Sequence, residues 1–342
     1  MLLAPGALDR VPAEVERLGL ERVLLVGTRS AAGALGRLSD GLGDRVVATV
    51  GTVAVHVPAE IAATTTDLAR RAGADCAVSV GGGSAIGLAK AVAFEIALPI
   101  VAVPTTYSGS EMTPLWGRTA GGVKEVGRHP SVQPRTVVYD PELCAGMPAG
   151  LAAASGMNAM AHCAEALWAA GRTPMTTALA CEGLRRLPGG IEAAVADPSS
   201  LEAHARNLAG ACLAGLALAH AGSGLHHRLC HAIAGSWNLP HAQTHAVLLP
   251  HSTALVSAHA PEAMATLADL LGAPDAPAAL WDLLTRLPLP RSLAALGLQP
   301  EALAEVTRRA IETAAGDPLV PGPEAVAGLV ERAFHGRPPS AY

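Results

Sequence analysis

Five short apolar segments alternate with stretches of helical spacing between residues 20 and 140, and this alternation constrains the fold more than any other feature. The segments are RVLLVG (22–27), VVATV (46–50), DCAVSV (75–80), PIVAV (99–103) and TVVYD (136–140). Their apolar residues are continuous instead of alternating with polar ones, which indicates strands buried on both faces. Helical patterns occur around 30–40, 59–72 and 84–95. Together they predict a mostly parallel α/β sheet of right-handed βαβ units.

After Pro141 the strand pattern ends, and segments rich in Ala and Leu with helical spacing continue almost to the end of the chain. Pro and Gly predict breaks between helices at 188–190, 221–224, 286–290 and 316–323. We therefore predict two domains that pack directly against each other and leave a cleft. The first is an α/β domain over residues 1–147, and the second is an all-α domain over residues 148–342.

Composition excludes several classes of protein. The 24 Lys and Arg fall short of the 29 Asp and Glu, the net charge is −5 and aromatic residues are 3%, so a nucleic-acid partner is not expected. The weakly polar stretch 208–218 is shorter than the roughly 20 residues that a membrane span needs. The N-terminus lacks the pattern of a secretory signal, and the six cysteines are scattered without paired spacing. We expect free thiols and a cytoplasmic protein.

A glycine-rich turn joins the third predicted strand to the helix that follows it. Gly81, Gly82 and Gly83 allow a ligand to approach the main chain, and Ser84 is expected to cap the helix. The free N–H groups and the helix dipole at this point favour an anion such as a pyrophosphate. The competing interpretation is a tight turn with no ligand, since short motifs occur often by chance.

A second polar loop, PTTYSGSE at 104–111, follows the next strand and offers several hydroxyls to phosphate, ribose or adenine. Two such loops at the carboxyl ends of neighbouring parallel strands predict a dinucleotide site. The glycine spacing is not GxGxxG, and Thr28 and Arg29 after the first strand supply no acid for a ribose 2′-hydroxyl. We therefore expect NADPH to be accepted alongside NADH.

Histidines are concentrated in one helical segment, where residues 226–251 hold six of the 13. His227 and His231 are four residues apart on one helix face, and His241 follows a break at 237–240 that returns it to the same cavity. Inward-facing histidines are costly unless they are used, which favours a function for these three. We interpret His226 and His251 as core or solvated histidines, and the sequence leaves His245 undecided.

The segment SGMNAMAH places Asn158 and His162 one helical turn apart. Alone, this pair is typical of a packed helix with two polar residues. Beside the histidine-rich segment, it predicts the other wall of a polar pocket that contains His162, His227, His231 and His241.

These motifs, in this order over about residues 20–255, resemble the iron-containing (group III) alcohol dehydrogenase superfamily and, within it, the maleylacetate reductase branch. The resemblance implies a Rossmann-like nucleotide domain, a helical catalytic domain, an active site in the cleft, a homodimer and NADH or NADPH as cofactor. It implies that the cofactor is bound by the glycine-rich loop, the hydroxyl loop and one lysine, at Gly81, Gly82, Gly83, Ser84, Thr105, Thr106, Ser108 and Lys124.

Metal-dependent members of the superfamily hold iron or zinc with one aspartate and three histidines, and the resemblance places Asn158, His162, His227 and His241 at those positions. A neutral amide replaces an anionic oxygen ligand, so we expect weaker metal binding, although three imidazoles and water could still hold Zn²⁺. The maleylacetate reductases carry the same asparagine and are regarded as metal-independent. We expect no metal requirement.

The branch implies reduction of the conjugated C=C bond of maleylacetate, or of a similar unsaturated oxo-acid, to 3-oxoadipate in the breakdown of aromatic compounds. Hydride addition to an enone gives an enolate, which hydrogen-bond donors can stabilise without a metal. We assign His231 and His241 as the enolate donors or the general acid, while His162 and His227 shape and charge the pocket for a dicarboxylate. Weaker candidates are Tyr107 and Arg135, and Cys230 is interpreted as a buried structural thiol.

Three alternatives stay open at this point. The first is a metal-dependent alcohol or aldehyde dehydrogenase of the same superfamily. The second is a lyase similar to dehydroquinate synthase, which uses NAD transiently together with zinc. The third is a relative in secondary metabolism, either a reductase of another unsaturated acid or a binding protein without redox activity.

Overall fold

The computed structural model describes residues 1–54, 57–120 and 123–340, apart from the side chains at 123, 124 and 236. These residues form two compact units. The first unit comprises Met1–Gly146 together with Ser199–Ala219, and the second comprises Met147–Pro198 and the chain from His220 onward. The segment Ser199–Ala219, which the sequence analysis places in the helical domain, thus belongs to the first unit.

The first unit contains a six-stranded, fully parallel sheet with the strand order β1-β8-β5-β4-β2-β3. Its strands are β1 (Leu2–Leu3), β2 (Val23–Gly27), β3 (Val46–Val50), β4 (Cys76–Gly81), β5 (Ile100–Pro104) and β8 (Thr136–Tyr139). The five predicted strands are therefore confirmed. The pairing of Gly81 with Pro104 aligns the carboxyl ends of β4 and β5, from which both predicted cofactor loops emerge.

Successive residues of the central strands are buried on opposite faces of the sheet. Leu25 and Val78 join the apolar cluster beneath α1 (Val11–Arg17) and α2 (Ala32–Leu42). Leu24 and Ala77 join the cluster on the other face, with residues of α3 (Ala59–Ala72) and α4 (Gly83–Ile96). Helices on both faces explain why the strands are continuously apolar in sequence. The predicted helices around 30–40, 59–72 and 84–95 are confirmed.

Two elements of the first unit carry no clear signal in the sequence. One is the two-residue strand β1 at the edge of the sheet, next to β8. The other is the antiparallel hairpin of β6 (Leu115–Ala120) and β7 (Val123–Arg128). The hairpin contacts α3 and α4, and Trp116 stacks on Phe94 at a centroid distance of 4.2 Å. A partly buried hairpin of mixed composition lacks the continuous apolar pattern that marks the main sheet.

Close backbone packing explains why α7 (Leu201–Ala221) joins the first unit through Ala219. A Cβ added at Gly215 would collide with the main-chain oxygen of Gly109, in the loop that follows β5. Gly109 has φ +74°, a left-handed conformation that favours glycine. Two glycines therefore allow the helix to touch the loop backbone directly, a tertiary contact that helical periodicity cannot reveal.

The second unit is built of helices, as the sequence predicts. They are α5 (Ala149–Ala166), α6 (Pro174–Ala196), α8 (Leu225–Trp237), α9 (His241–Val256), α10 (Pro261–Leu271), α11 (Ala276–Arg286), α12 (Leu303–Ala314) and α13 (Pro323–His335). Helix α5 is buried continuously over residues 152–166 and α9 over residues 244–256. Helices buried on all sides form the centre of such a unit. Their polar side chains therefore lie in the interior.

The predicted helix breaks at 221–224, 286–290 and 316–323 are confirmed, because helices end at Ala221 and Arg286 and a helix begins at Pro323. The break at 188–190 is wrong, since α6 continues through Pro188. Leu184, Leu187 and Ile191 are fully buried around this proline. Their burial stabilises the helix against the loss of about 3 kcal/mol that an internal proline brings.

Among the described residues, no single helix is long and apolar enough to cross a membrane. The pair Leu201–Ala221 and Leu225–Gly235 meets that test of length and composition only when its two bent members are taken together.

We predict opposite effects of Ala at two helical glycines of the first unit. Gly215→Ala should lower the free energy of unfolding by about 2 kcal/mol or more, because its methyl group would overlap the oxygen of Gly109. Gly36→Ala, in α2 with open space around the added Cβ, should raise it by about 0.5–1 kcal/mol. Urea denaturation of both variants measures the two changes. Equal effects would contradict the close contact of α7.

Candidate active site

The glycine-rich turn has the geometry of an anion site, although one predicted detail is wrong. Gly81 ends β4 with φ +144°, a conformation that requires glycine. Gly82 is the N-cap of α4, and no side chain caps the helix. Ser84 therefore lies inside the first turn instead of capping it, because the N-cap lies two residues earlier than the sequence suggests. The N–H of Ala85 donates to the oxygen of Gly82 at 3.1 Å, and the N–H groups that precede it, which have no carbonyl one turn back in the helix, favour an anion.

The two predicted cofactor loops lie against each other in the first unit. A Cβ at Gly82 would lie 3.0 Å from Cγ2 of Thr106, and one at Gly83 would lie 3.6 Å from Cβ of Ser108. The main-chain N–H of Thr105 donates to the oxygen of Gly81 at 3.0 Å. The absence of side chains at both glycines thus lets the hydroxyl loop lie close to the start of α4.

A buried lysine organises the chain that follows the hydroxyl loop. Lys90 Nζ donates to the main-chain oxygens of Ser110, Thr113 and Leu115 at 2.6–2.9 Å. Burial lowers the pKa of Lys90 to about 7, and Glu111 opposes this shift. Burial raises the pKa of Glu111, whose carboxyl accepts a hydrogen bond from Tyr139 at 2.8 Å. The bonds of Lys90 connect α4 to the chain after the hydroxyl loop. These contacts could not be predicted from the sequence, in which the only indication is a charged residue within an apolar helix.

The remaining candidates of the first unit are less informative. The side chain of Lys124 lies outside the described part of the structure. The Tyr107 hydroxyl is buried 2.6 Å from Nδ1 of His204, and burial raises its pKa. Arg135 is exposed, and its main-chain N–H donates to Ile100.

In the second unit, α5 presents Asn158, His162 and Glu165 at positions i, i+4 and i+7, on one helix face, and all three are buried. Glu165 Oε2 lies 2.5 Å from Nδ1 of His227 on α8. Burial alone would raise the pKa of Glu165, but the neighbouring His227 ring lowers it to about 2. Sequence reasoning missed Glu165. Its spacing from His162 in an otherwise apolar helix was the available signal.

The predicted histidines form one continuous group of rings. His162 stacks on His227 at a centroid distance of 4.9 Å, and His231 stacks on His241 at 5.6 Å. His227 and His231 meet edge to face at 6.4 Å. His245 lies between the two stacks, 4.8 Å from His227 and 4.5 Å from His241. The residue that the sequence left undecided is therefore the centre of the group.

His226 connects this group to the protein interior. Its Nδ1 lies 2.8 Å from Oγ of Ser252, and its Nε2 lies 2.9 Å from Nδ1 of His245. Cys230 is fully buried, with Sγ 3.6 Å from Nε2 of His226, and burial raises its pKa. His226 is a hydrogen-bonded core histidine and Cys230 is a buried thiol, as the sequence suggests. His251 is buried elsewhere, with its ring edge-on to Trp281.

Burial keeps several of these rings neutral. It lowers the pKa of His162 and His245 well below the usual value, with the neighbouring histidines adding to the effect. It also lowers the pKa of His226 to about 3. His162 thus supplies hydrogen-bonding capacity and not positive charge, which corrects the expectation that it charges the pocket. Within the described parts of the chain, several buried polar atoms have no hydrogen-bond partner, among them Asn158 Oδ1, His162 Nδ1, His227 Nε2 and His245 Nε2.

The residues at the superfamily's metal positions do not fit a metal ion well. Asn158 offers a neutral amide oxygen where the metal-dependent pattern has a carboxylate. Among the described residues, two sets of His and Cys bring one ligand atom each within 4.8 Å of one another: His226, Cys230 and His245, and His231, His241 and His245. The set His162, His227 and His241 is not among them.

Two family models match the chain: "Iron-containing alcohol dehydrogenase" over residues 1–141 and "Fe-containing alcohol dehydrogenase family, C-terminal" over residues 152–334. A maleylacetate reductase from Burkholderia cepacia is 42% identical, and the match covers 99% of this chain and 97% of that protein. Maleylacetate reductase structures from Agrobacterium tumefaciens and Rhizobium sp. are each 41% identical, with TM-scores of 0.93 and 0.92. Each covers 99% of this chain and 96% of its own.

The chain therefore belongs to the iron-containing alcohol dehydrogenase family, and it is an oxidoreductase that uses NAD(P)H. Within that family it falls in the maleylacetate reductase branch. The fold expected from the sequence, a parallel-sheet domain followed by a helical one, is confirmed.

We predict that acid destabilises the fold through buried neutral histidines. Burial lowers the pKa of His251 to about 4 from 6.5, so below pH 6.5 the unfolded chain takes up a proton that the folded chain refuses. Stability is lost as the pH falls from 6.5 towards 4, by about 2 kcal/mol for this histidine at pH 5. The free energy of unfolding, measured by urea denaturation, should fall between pH 7.5 and pH 5 by about 2 kcal/mol less in His251→Gln than in the parent protein. Equal losses would contradict the assignment.

Proposed function

We propose that this oxidoreductase reduces the conjugated C=C bond of maleylacetate to give 3-oxoadipate, with NADH or NADPH, in the breakdown of aromatic compounds. The observation that carries the proposal is a packed group of imidazoles beside an amide, Asn158, at a position where metal-dependent relatives have a carboxylate. The curated relatives of similar sequence are named maleylacetate reductases.

Two features of the first unit support a dinucleotide cofactor. The N-terminus of α4 at Gly82 and Gly83 favours an anion such as its diphosphate, and Thr105, Thr106 and Ser108 lie in the neighbouring loop. Its reduced nicotinamide supplies a hydride when bound. The lack of an acidic side chain at Thr28 and Arg29 supports the use of either NADH or NADPH.

Maleylacetate carries an alkene conjugated with a ketone. A hydride added to the alkene carbon β to the ketone moves negative charge onto the ketone oxygen, and a proton on the adjacent carbon completes the reduction. His231 and His241 donate hydrogen bonds to that oxygen, or one of them delivers the proton. His162 and His227 shape the pocket through their stacked rings. The enolate is a weaker base than a simple alkoxide, so hydrogen-bond donors suffice to stabilise it.

The same reasoning supports a reaction that needs no metal ion. The amide of Asn158 lacks the negative charge that attracts a divalent cation. We further propose that the active species is a homodimer, as the resemblance implies.

The decisive assay measures NADH oxidation with freshly generated maleylacetate, beside a simple aldehyde and with and without a chelator. We expect turnover of the enone, little turnover of the aldehyde and no effect of the chelator. A large loss that Zn²⁺ or Fe²⁺ restores would refute metal independence. Preference for the aldehyde would favour an alcohol dehydrogenase.

Replacing the proposed donors should slow the chemical step. His231→Ala or His241→Ala is expected to lower kcat for maleylacetate by about 100-fold, because the developing oxyanion or the carbon acceptor loses its donor. His259→Ala, at an exposed histidine of the same unit, is the matched control and should leave kcat unchanged. Steady-state kinetics of the three variants provide the test. Unchanged rates in both donor variants would remove these residues from the mechanism.

A further inference from the structure

We propose that His231, His241 and His245 form a three-imidazole site for a borderline divalent cation such as Zn²⁺, different from the set that the superfamily uses. The structure brings one ring nitrogen from each within 4.8 Å of the others. Tetrahedral Zn–N bonds of about 2.0–2.1 Å place neighbouring nitrogens about 3.4 Å apart, so small ring movements complete the site. A water molecule would take the fourth position.

The hydrogen bonds behind His245 determine which of its two ring nitrogens can bind an ion. The Ser252 hydroxyl donates its only proton to the main-chain oxygen of Leu249 at 3.1 Å, so it accepts from Nδ1–H of His226. Nε2 of the neutral His226 ring then accepts from Nδ1–H of His245 at 2.9 Å. Nε2 of His245 keeps its lone pair, and this buried nitrogen has no hydrogen-bond partner among the residues that the structure describes.

This chain of bonds is the outer shell that a metal-binding histidine needs. A ligating imidazole donates its other N–H to a fixed acceptor, which sets the tautomer and orients the ring. His245 has that acceptor in His226, and His226 is held in turn by Ser252.

The other convergent set, His226, Cys230 and His245, is a poorer candidate. Both nitrogens of His226 are already in hydrogen bonds, so the ion would have to break one of them. All three side chains of that set are buried. In the proposed site His231 is exposed and His241 is half-buried, which gives an ion a path from solvent.

Binding at this site has a consequence that rests on the proposed function. His231 and His241 are the proposed donors to the substrate, and a coordinated nitrogen can neither donate a hydrogen bond nor deliver a proton. The ion would therefore inhibit the reductase instead of activating it. An ion at the proposed site would thus lower the reaction rate, whereas the catalytic metal of the alcohol dehydrogenases raises it.

Titration of the metal-free full-length chain with Zn²⁺ alone, followed by calorimetry, tests the site without any substrate. We expect one Zn²⁺ per chain with a Kd tighter than about 10 μM. His245→Gln should weaken binding by about 30-fold or more, and Ser252→Ala by about 10-fold through the lost orientation of His226. His162→Gln, which alters only the superfamily set, is the matched control and should change the Kd by less than about threefold.

Several outcomes would overturn the site. One is the absence of binding below millimolar Zn²⁺. Another is a loss of Zn²⁺ affinity in His162→Gln or in Cys230→Ser that equals the loss in His245→Gln. If His245→Gln does not fold, zinc X-ray absorption of the unmodified complex replaces it. That spectrum should show imidazole and oxygen ligands, and a sulfur ligand would refute the assignment.

The activity measurement separates the two proposals. Zn²⁺ should inhibit maleylacetate reduction, and a chelator should restore the rate. If the chain binds Zn²⁺ with the expected variant pattern but never reduces maleylacetate, the proposed function fails and the site stands. If it reduces maleylacetate but binds no Zn²⁺, or is activated by it, the site fails and the function stands.

Discussion

Burial of many imidazoles in one helical interior is the constraint on which the rest of this site depends. A buried ring loses its charge, and the hydrogen bonds of the neutral ring then decide which nitrogen donates and which accepts. Glu165 accepts from Nδ1 of His227, and the bonds from Ser252 through His226 fix Nδ1 of His245 as a donor. Glu165 and Ser252, at the edge of the histidine group, therefore set the orientation of the His227 and His245 rings.

The asparagine at position 158 changes what this interior can do. An aspartate would add a second buried negative charge one helical turn from His162 and close to the region of Glu165, and a divalent cation would balance that charge. With an amide, a cation has less negative charge to balance, and the proposed reaction uses the imidazoles as donors to the substrate instead. An enone accepts this arrangement because its charge is delocalised before protonation. The amide at position 158 is thus compatible with a conjugated substrate, because hydrogen-bond donors can stabilise its delocalised enolate.

Local patterns in the sequence were sufficient for much of the fold and for the first half of the site. Continuous apolar runs identified β2 to β5 and β8, and the glycines at 81–83 identified the turn at the start of α4, although not the N-cap. Contacts between distant segments were not accessible in this way. The approach of Gly215 to Gly109, the pairing of Glu165 with His227 and the central place of His245 depend on tertiary packing. Pro188 failed as a helix breaker because packing outweighed propensity.

The two proposed roles of His241, hydrogen-bond donor to the substrate and ligand of a cation, exclude each other. A histidine that stabilises an enolate must offer an N–H at the site, whereas a histidine that binds a cation must offer a lone pair there. The metal-dependent relatives assign the second role to this position, and the proposed reductase assigns it the first. The proposed zinc site combines this position with His231 and His245, and among the described residues Nε2 of His245 has no hydrogen-bond partner. The two proposals therefore make opposite demands on the same ring, and a bound cation and a bound substrate would compete for it.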